Sequence, residues 1–398
     1  MIRCPALPQE ALIGEELLGL SLMVLLGKVL GDVAERAGLS RLVGEIAGGA
    51  VLGPFALGGV LDSLLRAKVF YLGSEVIFLS QLSVVLLVYA SGLEHGSTPL
   101  RRAGGWGVLG AVFGALVPFL ASLSFVRLGL ANLVQSLFIG AAIAPTSLAV
   151  VSHLLQRQPN RKVIEFLLSA SAIDDVVSLV ILTVALGAAE LRSSPSPITV
   201  FRVAAFYSAA WIIIYFVSLR LVPTLVDMAG RRYLVEASLA VLFGLIAVMQ
   251  ALGFSPIVAA FIAGVSLAES AGSAVLRELS RSLLLIFGSI FFVVVGAEVN
   301  FGAVGLAGLA VSLLIFAIAL ASKAIGVIPF AYAYTRELRL TTSIAMGMEA
   351  RGEVGLAIAS IGLAEGALGQ GTYGSLVVAI LLTTVAGAAL FARSCPSR

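Results

Sequence analysis

The stretch Phe166-Leu-Leu-Ser-Ala-Ser-Ala-Ile-Asp174-Asp175-Val-Val-Ser-Leu-Val-Ile-Leu-Thr-Val-Ala-Leu-Gly-Ala-Ala189 holds two adjacent carboxylates in a run with no other charge. Eight uncharged residues precede the pair and fourteen follow it. A helix rising about 1.5 Å per residue through this run crosses a bilayer with both acids deep in hydrocarbon. There each ionised acid costs about 2.5–3.5 kcal/mol on insertion scales, a cost accepted mainly where acids bind or carry ions.

The rest of the chain agrees with a membrane setting. Its 398 residues are 60% hydrophobic and 12% charged, with mean hydropathy +1.08, against about 25% charge in soluble domains. Apolar runs of membrane length recur and alternating strand patterns do not, so the class is all-α and polytopic rather than an outer-membrane barrel. Thirteen spans are expected, at 12–31, 41–59, 74–93, 103–126, 130–154, 163–189, 199–219, 233–253, 255–270, 282–298, 302–334, 340–364 and 372–392. No soluble domain is expected. Glu15 and Glu16 precede the first apolar stretch and no small-residue cleavage site follows it, so residues 1–30 do not read as a cleaved signal. Cys4 and Cys395 stand near opposite termini and suggest neither a metal site nor a disulfide framework. No P-loop, dinucleotide fingerprint, metal-ligand spacing or nucleophile elbow stands in a suitable context, so neither an enzyme nor a bound cofactor is expected. The 42 glycines read as close helix packing.

The net charge of +3 reports topology rather than nucleic-acid binding. With the N-terminus outside, 17 basic residues fall on the cytoplasmic side, among them Arg36, Arg41, Arg101, Arg102, Arg157, Arg161, Lys162 and Arg398. Six fall outside: Arg3, Arg66, Lys68, Arg127, Arg192 and Arg202. The remaining two, Lys323 and Arg351, lie inside spans. This is a strong positive-inside bias, with the C-terminus cytoplasmic.

The chain also repeats itself. Val88-Tyr-Ala-Ser-Gly92-Leu-Glu94 matches Phe292-Val-Val-Val-Gly296-Ala-Glu298 at an offset of 204 residues, which also carries Ala144-Pro-Thr-Ser147 onto Met348-Glu-Ala-Arg351. The offset is seven spans, an odd number, so the second copy is expected upside down: two inverted six-helix repeats joined by a linker helix. Helix-breaking chemistry falls at equivalent places. Pro145 lies in the fifth span, and Gly347, Gly352 and Gly355 surround Glu349-Ala-Arg351-Gly-Glu353 in the twelfth. Paired broken helices in inverted halves point to a midplane ion site.

Adjacent helical residues point about 100° apart, so Asp174 and Asp175 cannot do the same job. Ser171, one turn before Asp175, is a candidate hydroxyl ligand. Lys323 is the only charge between Gly302 and Tyr334; it must pair with an aspartate, lose its proton or line water, unless it snorkels to the interface. Glu349 and Glu353 are expected to share a helix face, with Arg351 turned toward a broken-helix carbonyl; an ion-pair role and a transport role both fit. Glu94 and Glu298 read as interfacial or gate residues. His95 and His153 read as solvated histidines near the cytoplasmic side, with pH sensing as the alternative.

Ala172-Ile-Asp-Asp-Val-Val177 resembles the double-aspartate motif of the cation/proton antiporter superfamily, most closely its NapA-type and NhaA-type electrogenic Na+/H+ antiporters. Gly347-Met-Glu-Ala-Arg-Gly-Glu-Val-Gly-Leu356 resembles the family's broken-helix signature. Gly44-Glu-Ile-Ala-Gly-Gly-Ala-Val-Leu-Gly-Pro54 resembles its early Gly-Pro motif, and Ser322-Lys323-Ala-Ile-Gly326 its lysine helix. The resemblance implies an NhaA-like fold and Na+(Li+)/H+ exchange in a prokaryotic-type plasma (inner) membrane. It makes Asp175 the carboxylate that alternates between Na+ and protons and pairs Asp174 with Lys323; transported Na+, held by Asp175 and Asp174, is the only metal implied. It places Thr146 and Ser147 at the first crossing, and gives Arg351 and Glu353 a stabilising role at the second. Glu349 and Pro145 match less closely and take no ion-binding role, Pro145 only shaping the crossing. The implied organisation is a dimerisation domain (1–59 and 233–270), a mobile core (74–189 and 282–392) and a linker helix (199–219), in a homodimer. K+/H+ exchange of the Kef-like type is the alternative; such systems usually carry a soluble nucleotide-binding domain, and this sequence ends at Arg398. A cation channel is the alternative of another class, and an organic-anion carrier would not need the Asp-Asp and Lys set.

Overall fold

The computed structural model describes residues 9–96, 104–147, 150–151, 155, 158, 160–190 and 197–394. Cys4, Cys395, His153 and the basic residues Arg3, Arg101, Arg102, Arg157, Arg192 and Arg398 lie outside the described residues, as does the side chain of His95. Among the described residues every regular element is helical. The principal helices are α1 (Gln9–Arg36), α2 (Arg41–Leu52), α3 (Leu57–Leu65), α4 (Ser74–His95), α5 (Gly104–Ser122), α6 (Leu133–Ile143), α7 (Arg161–Glu190), α8 (Pro197–Ala229), α9 (Leu234–Ala251), α10 (Pro256–Leu267), α11 (Ser273–Ala297), α12 (Phe301–Thr335), α13 (Leu338–Gly347), α14 (Glu353–Ala364) and α15 (Gln370–Ser394).

Ten helical stretches among the described residues are long and apolar enough to cross a membrane, and they fall on ten of the expected spans. Three shorter apolar helices, α6, α10 and α14, fall within the fifth, ninth and twelfth. The second span, expected to be continuous over 41–59, is instead two helices that run on to Leu65. Pro54 lacks an N–H and excludes the helical conformation at Gly53, which is extended at φ −67°, ψ 167°.

The packing is that of a membrane protein. α4 and α7 are enclosed by neighbours, whereas α8 and α9 turn Phe206, Phe216, Met228 and Phe243 outward. Lipid is as apolar as these side chains, so cohesion comes from close backbone approach instead. That approach occurs twice in the same form. A β-carbon on Gly92 of α4 would meet the Phe261 carbonyl of α10, and one on Gly264 would meet the Tyr89 carbonyl. A β-carbon on Gly296 of α11 would meet the Ile46 carbonyl of α2, and one on Gly49 would meet the Val293 carbonyl. Tyr89 and Gly92 are offset from Val293 and Gly296 by 204, and Ile46 and Gly49 from Phe261 and Gly264 by 215. The repeat seen in sequence is therefore also a repeat of contacts.

Gly296→Ala drives a methyl group into the Ile46 carbonyl and the Ala50 amide, an overpacking that costs roughly 1–3 kcal/mol. The expected result is a clearly lower Tm in detergent. Gly244→Ala, on an exposed face with nothing near its added methyl, is expected to hold or raise it. Equal shifts in the two variants would contradict the packing account.

Candidate functional site

Two helix interruptions build the site. α6 stops at Ile143, and Pro145, Thr146 and Ser147 are non-helical before the chain turns helical again at 150. Pro145 cannot donate to the preceding turn, which frees backbone groups there. The second interruption runs from Met348 to Gly352, between α13 and α14. The two unwound segments lie against each other: the Ser147 amide donates to the Ala350 carbonyl at 2.8 Å. A β-carbon on Gly352 would overlap the Ser147 side chain, so this approach requires glycine.

The freed carbonyls are met by cations. Lys323 Nζ donates to the Ala144 carbonyl at 2.6 Å. Arg351 donates to the Met348 carbonyl at 3.0 Å and to the Ala319 carbonyl of α12 at 3.2 Å, while its own carbonyl accepts from Thr384 Oγ1 at 2.6 Å. Positive charge at helix C-terminal carbonyls is favourable. The lysine stem runs beside Gly114 of α5, where a β-carbon would sit 3.7 Å from Lys323 Cε.

The two aspartates sit in different surroundings. Asp174 Oδ2 accepts from Lys323 Nζ at 2.7 Å and from Thr146 Oγ1 at 2.6 Å, and Oδ1 accepts from the Thr146 amide at 3.3 Å. Asp175 is 1% exposed, and among the described residues neither of its oxygens has a hydrogen-bond partner. Glu353 and Asp174 lie within its electrostatic reach. On that side Ser147 Oγ donates to Glu353 Oε2 at 2.8 Å. Glu349 lies 3.9 Å from Arg351. The buried cluster therefore sets four carboxyl groups (Asp174, Asp175, Glu349 and Glu353) against two cations (Lys323 and Arg351). Buried charge is costly unless compensated, so the cluster calls for bound protons or a cation.

Several expectations change. Lys323 does not snorkel: its side chain is fully buried. Glu349 and Glu353 do not share a helix face, because the chain unwinds between them. Ser171 is buried with its hydroxyl toward the Leu168 carbonyl at 3.4 Å, and it donates nothing to Asp175. Glu298 is half-buried and receives a hydrogen bond from Tyr373 at 3.1 Å, and Glu94 lies 3.8 Å from Arg281. Thr384 and the Ala144, Ala319 and Met348 carbonyls are parts of the site that sequence patterns do not announce. A threonine pair in an apolar helix is a weak signal, and backbone carbonyls leave none.

A cavity of about 330 Å³ opens beside Ser40 and Arg41 at the α1–α2 end and reaches inward to Ser147 and Glu353. A second, of about 450 Å³, opens near Pro54, Gln81 and Glu298 at the other end of α2 and stops short of the crossing residues.

Helices broken where they cross, with unbalanced buried charge at the crossing and a cavity leading to it, define the class of membrane ion transporters. The chain belongs to the sodium/hydrogen exchanger (transmembrane) family, which it matches over residues 21–392. It is 28% identical to the high-affinity Na(+)/H(+) antiporter NhaS3 of Synechocystis, over 92% of this chain and 87% of that one. It is 25% identical to a Na(+)/H(+) antiporter of Enterococcus hirae, over 93% and 96% of the two chains. It is also 25% identical to the Na(+)/H(+)-K(+) antiporter GerN of Bacillus cereus, over 92% of each. Its fold is similar to that of the sodium proton antiporter MjNhaP1 of Methanocaldococcus jannaschii, with TM-score 0.73, 19% identity and 96% of each chain covered.

Proposed function

We propose that this chain is an electrogenic Na+(Li+)/H+ antiporter of the double-aspartate type. The observation that carries the reading is the unequal pair: Asp174 held by Lys323 and Thr146, Asp175 buried beside it with no hydrogen-bond partner among the described residues. An unpartnered buried carboxylate needs a proton or a cation and cannot hold both, so one ligand expels the other. With Asp175 and Lys323 as the two titrating groups, two protons exchange for one Na+. That exchange moves one net charge per cycle and draws about 2.3 kcal/mol per 100 mV of membrane potential.

Asp175 is then the ion and proton carrier and Asp174 the partner that sets the charge of Lys323. Thr146 orients Asp174, and Ser147 and Glu353 line the approach from the cavity. Arg351 and Pro145 hold the crossing open. Thirteen crossings with the N-terminus outside are supported by the placement of the helices and by the bias of basic residues. On that topology the Ser40–Arg41 mouth is cytoplasmic, and the cavity approaches Ser147 and Glu353 from that side. The repeated glycine contacts join α2 to α11 and α10 to α4, that is, the scaffold parts (1–59 and 233–270) to the core parts (74–189 and 282–392). They mark the seam along which a core shifts against the scaffold, with span 199–219 as the connection; the family resemblance makes that scaffold the dimerisation domain. The setting is a prokaryotic-type plasma membrane.

The Na(+)/H(+)-K(+) name of GerN favours one second reading, K+ as an additional or preferred cation. Proton flux in proteoliposomes against gradients of Na+, Li+ and K+, with a no-cation control, separates the two. Flux driven by Na+ and Li+ and absent from the control is expected. Flux driven by K+ as well as by Na+, or by K+ alone, would install the second reading, and conductance without counter-transport would remove exchange altogether.

A further inference from the structure

The cavity that leads to Ser147 and Glu353 carries further acids in its wall, which neither aspartate lines. Glu45 on α2 is 5% exposed and lines this cavity. Lys28 Nζ of α1 and Ser289 Oγ of α11 both donate to its Oε1, each at 2.9 Å. Among the described residues no hydrogen bond reaches Oε2, so a nearly buried carboxylate keeps one oxygen without a partner in the wall of a cavity. The lysine that neutralises it is itself 42% exposed at its side chain, a pairing that water screens and a competing cation can displace. Arg41 at the mouth lies within electrostatic reach of Glu45, but its guanidinium is held by Asp32 at 3.0 Å and Glu35 at 2.7 Å, so it repels cations less strongly. Glu94 adds a further acid to the same wall.

We propose that Glu45 is a second cation station on the route to the transport site. A partly hydrated alkali-metal cation pauses there by displacing the Lys28 ammonium. The inference rests on the antiport reading, and it adds a binding position outside the aspartate cluster together with a resident competitor. The competitor makes the test sharp. A carboxylate that serves only to tie α1, α2 and α11 together would suffer from loss of either partner. A station gated by lysine responds in opposite directions.

The test uses everted membrane vesicles, where the cavity mouth faces the added salt, and right-side-out vesicles for comparison. Na+-dependent proton flux is measured for wild type, Glu45→Gln and Lys28→Gln, with Tm of the purified proteins. Glu45→Gln is expected to raise the Na+ KM about three- to fivefold, the range open to a partly exposed charge pair. Lys28→Gln is expected to lower it by a similar factor. Both shifts are expected only in everted vesicles and to shrink at high ionic strength. KM moving the same way in both variants with lowered Tm would overturn the station in favour of a structural tie. An unmoved KM would overturn it too. Absence of cation-driven flux from wild type would bring down the antiport reading and the station with it.

Discussion

Asp175→Asn is expected to abolish Na+-driven proton movement while leaving the protein folded. The amide keeps the size of the carboxyl but neither balances a bound Na+ nor carries a proton across. Removing one partner from a buried ion contact costs about 3–5 kcal/mol, which corresponds to more than about 100-fold in affinity. Among the described residues no hydrogen bond is made by the Asp175 side chain, so the Asp174–Lys323–Thr146 network survives the change. Its Tm in detergent is therefore expected to equal or exceed that of wild type, because an uncompensated buried acid has been removed. Flux in proteoliposomes and Tm on the same preparation check both halves. Retained exchange would move the ion to another carboxylate, and a collapsed Tm would make Asp175 a structural residue.

Lys323→Gln is expected to have the second largest effect, with the opposite balance of stability and transport. Asp174 and Lys323 are both fully buried and 2.7 Å apart, so the variant leaves Asp174 without its counter-charge. The stability cost is about 3–5 kcal/mol, together with loss of the bond to the Ala144 carbonyl. The double variant Asp174→Asn/Lys323→Gln is expected to recover much of that Tm, since neither charge is then left alone. Any residual exchange in the single variant is expected to ignore an imposed membrane potential, because the second titrating group is gone. Full electrogenicity in Lys323→Gln would remove the lysine from the proton count.

What sequence patterns reveal here is mostly local chemistry. Pro145 and the glycines around Arg351 mark both interruptions, because proline removes a donor and glycine permits close approach wherever they stand. The charges that must be functional stand out because the apolar context makes each one expensive. Partners distant in sequence are less visible. Lys323 and Asp174 are 149 residues apart, and Ser289 and Glu45 are 244 apart. The first was legible in part: a lone intramembrane lysine needs one of the two aspartates, and the family resemblance, not the spacing, chose Asp174. The second was not, because Glu45 lies near a span end and looks like an interfacial acid. The expected Glu349–Glu353 face failed for a different reason: helical spacing holds only while the helix does, and these two residues flank its break.

The most direct test of the unequal aspartates is proton release on Na+ binding, measured as the pH change when Na+ is added to purified protein in weakly buffered detergent solution. Wild type is predicted to release protons in proportion to the sites filled, and Asp175→Asn to release none. Undiminished release from Asp175→Asn would contradict the account, because some other carboxylate would then be exchanging its proton for the cation.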